Sequence, residues 1–184
     1  MTRRLALGIG LALVACVVPA RGGQPPSSPP PGGSPPAAQA PAADAWQTFD
    51  GSFTATGRRD TVPREDGGVA STVRLTGSLV ITAGSGLRRG FRVEALGFED
   101  GSGPGMGRAV WTDDRGDRIF SRMVGASIET GRRSAATITG GTGQYAGLSG
   151  TYTFTWQYVM PGEEHLIHAR TNSLSGRFRK APAR

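Results

Sequence analysis

The chain has 184 residues, of which 29 are glycine and one is cysteine, and it carries a formal net charge of +7 with a pI near 10.9. A lone cysteine excludes an intramolecular disulfide framework. The basic residues are almost all arginines scattered singly or in pairs, which argues against a nucleic-acid surface and fits attraction to anionic lipid or polysaccharide better.

The first twenty residues read MTRRLALGIGLALVACVVPA. Arg3 and Arg4 form a positive start, and Leu5 to Val18 form an apolar run short of the about 20 residues a membrane span needs. Residues 1–20 are therefore expected to be an export signal. Ala6 stands where a twin-arginine signal favours a bulky residue, so the unfolded export route is expected. Two cleavage readings stay open. Val18-Pro19-Ala20 offers small residues to an ordinary signal peptidase. Leu13-Val14-Ala15-Cys16 resembles the lipobox of bacterial lipoprotein precursors, which implies that Cys16 is acylated and becomes the N-terminus. Three acyl chains, as that resemblance implies, exceed the two signals that stable anchoring requires. The expected location is the periplasm or cell envelope, with membrane attachment through Cys16.

Residues 21–45 are dominated by Pro, Gly, Ala and Ser, cannot bury a core and read as a polyproline-rich disordered linker. Residues 46–180 suit one domain, and 181–184 form a short tail. Throughout the domain the apolar residues alternate with polar ones. An opening strand falls in WQTFDGSFTATG. In the stretch from Val69 to Thr82, Val73, Leu75, Leu79 and Ile81 share one face, while Arg74, Thr76, Ser78 and Thr82 share the other. Phe91 to Phe98 alternates with apolar residues on both faces, and Gly97 is expected to mark a bulge. RAVWT and RIFSRMVG flank DDRGD (Asp113 to Asp117), a hairpin signature. SAATIT, TYTFTWQYV and LIHARTNSLSGRF follow, with MPGEE (Met160 to Glu164) as the last turn. No helix is expected. Many short antiparallel strands punctuated by glycine predict an all-β protein, a closed antiparallel barrel of about eight strands.

The motifs leave few chemical options. Gly141, Gly143 and Ala146 match a loose dinucleotide spacing, but that fingerprint needs a helix to follow, and an alternating aromatic stretch follows instead. Gly140, Gly141 and Gly143 are better explained as a corner needing unusual backbone angles and close approach. Tyr152, Phe154, Trp156 and Tyr158 share a face opposite Thr151, Thr153, Thr155 and Gln157, so the aromatics are expected to point inward, filling a core or lining a cavity for a small apolar molecule. His165 and His168 lie three apart on a strand and point to opposite faces, which disfavours a shared metal. In DDRGD, Arg115 occupies a ligand position of a calcium loop. No nucleophile elbow exists, and Cys16 lies too far outside the domain for a Cys–His pair. No cofactor and no metal are expected. Arg92 and Glu94 form a mid-strand ion pair that could orient a ligand or act in acid–base chemistry if it faced the lumen.

The segment TITGGTGQYAGLSGTYTF resembles the allene oxide cyclase and dirigent barrel superfamily through Gly140, Gly141, Thr142, Gly143, Tyr145, Gly147 and Gly150, and the hairpin WTDDRGDRIF is similar to its bacterial members. Outside this region only the strand pattern agrees. The resemblance implies an eight-stranded barrel whose lumen takes an apolar ligand; members cyclise reactive oxylipins, steer radical coupling, or merely bind. The family's catalytic residues lie outside the glycine motif, and none is carried over. The lipobox and the absence of a disulfide depart from the plant forms.

Three functions follow as expectations. The first is a lipid-anchored barrel binding a small apolar or aromatic molecule through Glu94, Trp111, Tyr145, Tyr152, Phe154, Trp156 and His168. The second is a cyclase or isomerase using Glu94 or His168. The third is a structural envelope lipoprotein with a filled barrel. Anchoring has a direct test. Cys16→Ala is expected to move the protein from the membrane to the soluble fraction and to abolish palmitate labelling; unchanged partitioning without label in the native protein would end the lipobox reading.

Overall fold

The computed structural model describes residues 45–128, 131–158 and 165–181. The export segment with Cys16, the linker, the turn at 160–164 and the last three residues lie outside them. The elements are β1 (Gln47–Pro63), β2 (Val69–Gly84), β3 (Gly90–Glu99), β4 (Gly105–Thr112), β5 (Arg118–Ile128), β6 (Gly131–Gly141), β7 (Leu148–Tyr158) and β8 (Leu166–Lys180). Each strand pairs antiparallel with the next, and β8 pairs with β1, so the eight strands close into a barrel in chain order. Closure leaves no sheet edge to attract another chain. No α-helix occurs among the described residues; one 3₁₀ turn, Gly143–Tyr145, precedes β7.

Alternation decides the interior. Phe49, Phe53, Leu79, Ile81, Phe91, Val93, Trp111, Ile119, Ile138, Tyr152, Trp156 and Phe178 are buried, while Thr151, Thr153 and Gln157 are exposed. In β3, where both faces are apolar, Phe91, Val93 and Ala95 point in, and Leu96 and Phe98 point out beside Met106 and Val124. The bulge expected at Gly97 is not there: Gly97 pairs in unbroken register with Val73 and Gly107. The register breaks instead at Asp50/Gly51, Gly51/Phe53, Phe120/Ser121 and Thr153/Gln157.

Because neighbouring strands run in opposite directions, the starts of β1, β3, β5 and β7 and the ends of β2, β4, β6 and β8 meet at one end of the barrel. That end is closed by rings. Trp111 lies 4.9 Å from Tyr152, 5.8 Å from Phe91 and 6.1 Å from Phe49, and Phe49 lies 6.0 Å from Phe178. Such tilted and edge-on pairs are the favoured aromatic geometry.

The glycine corner seals this end from outside. Thr142 N donates to Arg118 O at 2.8 Å, and Arg118 N donates to Thr142 Oγ1 at 2.9 Å. Gln144 N donates to Asp117 Oδ2 at 3.0 Å, while Gln144 Nε2 and Tyr145 OH donate to Asp113 Oδ2 at 2.6 and 3.1 Å. Asp113 Oδ1 also accepts from the backbone N–H groups of Arg115 and Asp117. Gly143 sits at φ 53°, and a Cβ there would collide with the Asp117 carboxylate. The motif is thus a latch onto the β4–β5 hairpin. Burial raises the Asp113 pKa, but hydrogen bonds from Arg115, Gln144, Asp117 and Tyr145 outweigh it and leave the carboxyl below its ordinary value. Burial, then the neighbouring Asp113, push the Tyr145 phenol far above its ordinary range.

A lowered carboxyl pKa contributes stability that is present above the unfolded value of about 3.9 and is lost as pH falls through the folded one. Urea unfolding is expected to show this loss below about pH 4. Asp113→Ala should cost about 2–3 kcal/mol at neutral pH, because Tyr145 OH stays buried without its acceptor, and should flatten the acid limb.

Candidate functional site

At the opposite end several inward positions are glycines. Gly97, Gly105, Gly107 and Gly125 lie at the mouth on β3, β4 and β5, where the closed end has Phe91, Trp111 and Ile119. Removing side chains from three adjacent strands leaves space. The result is a cavity of about 100 Å³, walled by apolar residues including Leu75, Ala95, Met123, Phe154, Trp156 and Ile167. A second space of about 50 Å³ lies deeper and shares Leu75, Ala95, Met123, Phe154 and Trp156 with the first, adding Phe53, Val93, Trp111 and Tyr152. A water-sized group takes ~10–15 Å³, so the outer cavity alone suits roughly one aromatic ring with a short substituent.

The mouth is polar. Glu99, at the end of β3, is largely buried and lies 3.7 Å from Arg59 Nη2. It also accepts from Arg132 Nη2 and from Ser71 Oγ, the latter at 3.2 Å. Arg132 Nη2 donates to Gly125 O at 3.2 Å. Deeper, Tyr152 OH and Ser121 Oγ share a hydrogen bond of 2.8 Å, both groups being buried. Burial pushes the Tyr152 phenol up to about 12, with Ser121 pulling the other way, so it is a neutral donor or acceptor at physiological pH.

The expected site residues divide into three groups. Phe154 and Trp156 line both spaces, and Trp111 and Tyr152 line the deeper one. Tyr145 is correctly inward, but it belongs to the sealed end, held by Asp113 and packed 5.7 Å from Phe91, and it lines neither space. Glu94 and His168 are corrections. Glu94 alternates outward from Val93 and Ala95 and pairs with Arg92 at 2.7 Å on the exposed face. His168 alternates outward between the buried Ile167 and Ala169, opposite the exposed Thr56. His165 adopts φ 78° and contacts Arg59 O through Nδ1 at 3.1 Å. The side chain of Tyr158 lies outside the described residues. Among the described residues no cluster could hold a metal.

The sequence reading missed Glu99, Arg132, Ser71 and the mouth glycines. Glu99 shares the odd-numbered face of β3 with Phe91 and Val93, but Leu96 and Phe98 make the opposite face apolar too, so the pattern gave no clear signal for it. Glu94 drew attention only because it sits mid-strand beside Arg92.

No protein-family model matches the chain. No curated protein matches it either. Among solved structures, a pterocarpan synthase dirigent protein is similar at a TM-score of 0.44 and 10% identity, over 81% of this chain and 97% of that one. At that level the likeness carries no functional weight, and the barrel rests on the strand pairing itself.

The wall of the deeper space has its own test. Tyr152→Phe is expected to cost about 1 kcal/mol in thermal or urea unfolding, since Ser121 Oγ loses its close partner; an unchanged midpoint would show that the pair contributes nothing to stability.

Proposed function

We propose that this protein is an exported, lipid-anchored barrel that binds one small aromatic or apolar molecule in its lumen. One observation carries the reading: the interior is filled by rings at one end and emptied by glycines at the other. A purely structural barrel needs no such asymmetry, and a space of about 100 Å³ exceeds the few waters that a filled barrel would tolerate. Concave, mostly apolar walls with a few polar groups at one side are what small-molecule sites are made of.

The cyclase or isomerase reading loses the residues chosen for it, because Glu94 and His168 face outward. The carboxylate inside, Glu99, already accepts from Arg132 and Ser71 and faces Arg59, an arrangement that holds a mouth in shape. Anchoring through Cys16 would keep the barrel at a membrane surface, joined to it by the Pro-, Gly- and Ala-rich segment 21–45, close to apolar molecules partitioned there.

Single-ring neutral aromatics are expected to quench or shift fluorescence from Trp111 and Trp156, and native mass spectrometry should detect a bound adduct. Gly97→Ile is the matching variant. A Cβ at Gly97 has no neighbour closer than 3.5 Å, so the backbone accommodates a side chain there, and Gly97 lines the cavity that the added carbons would occupy. The variant should fold at least as stably, a β-branched residue replacing glycine in a strand, and lose binding by about tenfold or more. A clean apo mass with no tryptophan response in the native protein would sink the proposal.

A further inference from the structure

The polar groups at the mouth are unevenly matched. Arg59, Arg132 and Ser134 bring donors to the cavity wall, and Glu99 is the one carboxylate among the described residues lining it. Its oxygens are already engaged by Arg132 and Ser71 and face Arg59. Arg132 Nε is enclosed and has no hydrogen-bond partner among the described residues. A buried donor left without a partner is destabilising, more so when it is charged. The Arg132 side chain is nevertheless partly exposed on the cavity wall, so a ligand bringing an acceptor, best of all an anion, would meet a cation there. Immediately inside lie Leu75, Ala95, Met123, Phe154 and Trp156, which offer nothing to a charge and much to a ring.

We propose that the lumen ligand is a small aromatic monocarboxylate, its ring between Phe154, Trp156 and Met123 and its carboxylate at the mouth against Arg132. This rests on the lumen-binding reading above and narrows it. The size of the space limits the ring to one, and the position of Arg132 orients the molecule with its anionic end outward. Charge-assisted hydrogen bonds are shorter and about twice as strong as neutral ones, and a planar guanidinium suits a planar carboxylate. The same geometry disfavours amines, which would bring a second cation to Arg132.

Three probes of nearly equal shape separate the possibilities: phenylacetate, phenylacetamide and phenethylamine, titrated into the full chain by calorimetry and tryptophan fluorescence. Phenylacetate should bind at least about tenfold tighter than the amide, a factor corresponding to ~1.4 kcal/mol, and phenethylamine weakest. In Arg132→Gln, with folding verified by circular dichroism, the preference should vanish while the amide affinity stays within about twofold. Arg132→Lys should keep part of the preference. Rising salt should weaken phenylacetate alone. Equal binding of acid and amide to the native protein would overturn the anionic assignment and leave lumen binding intact, and it does so even if the variant cannot be made. A preference that survives in folded Arg132→Gln would also overturn it. Binding of none of the three would remove the lumen-binding reading and this one together.

Discussion

Pairing of β8 with β1 is the constraint on which the rest of the molecule depends. It turns a sheet with two edges into a ring of eight strands, and a ring of that number has an interior wide enough for side chains to fill or for one small molecule. Once the width is set, each inward position either supplies bulk or leaves a gap, since backbone relaxation closes only part of any gap. The molecule does both. Phe49, Phe91, Trp111, Tyr152 and Phe178 crowd one end, while Gly97, Gly105, Gly107 and Gly125 vacate the other.

The two ends also divide the polar groups. At the closed end, Asp113 collects hydrogen bonds from two backbone amides, Gln144 and Tyr145, so a buried carboxylate is fully satisfied and ties the glycine corner to the β4–β5 hairpin. That is structural work, and it explains a glycine cluster that might otherwise be taken for a phosphate cradle. At the open end Glu99 holds Arg132 and Ser71 and faces Arg59, and Arg132 Nε has no partner among the described residues. The polar groups thus divide as the packing does, and in the proposed reading the first end is a floor and the second an entrance.

Much of this was legible along the chain. The alternation in β2 and, as far as Trp156, in β7 named the inward residues correctly, because two unlike faces leave one choice. In β3 both faces are apolar, so Glu94 and Glu99 could not be told apart by pattern; the partners across the sheet, Val93 beside Trp111 and Ala95 beside Ala109, decide which parity is inside. Tyr145, expected in the ligand pocket, is buried at the closed end and lines neither space, since nothing local says which end of a barrel a turn will close. Gly97 looked like a backbone irregularity and is instead a missing side chain in a regular strand.

The sequence by itself determined the strands, their turns and, where one face is polar, their inner faces, because a period of two is a property of a single strand and its solvent. Only the tertiary structure decided where the space lies and what guards it. Gly97, Gly107 and Gly125 sit on three different strands, and Arg132, Glu99 and Ser71 on three. Their meeting at one mouth is fixed by register around a closed ring, and register is an agreement among all eight strands that no single segment encodes.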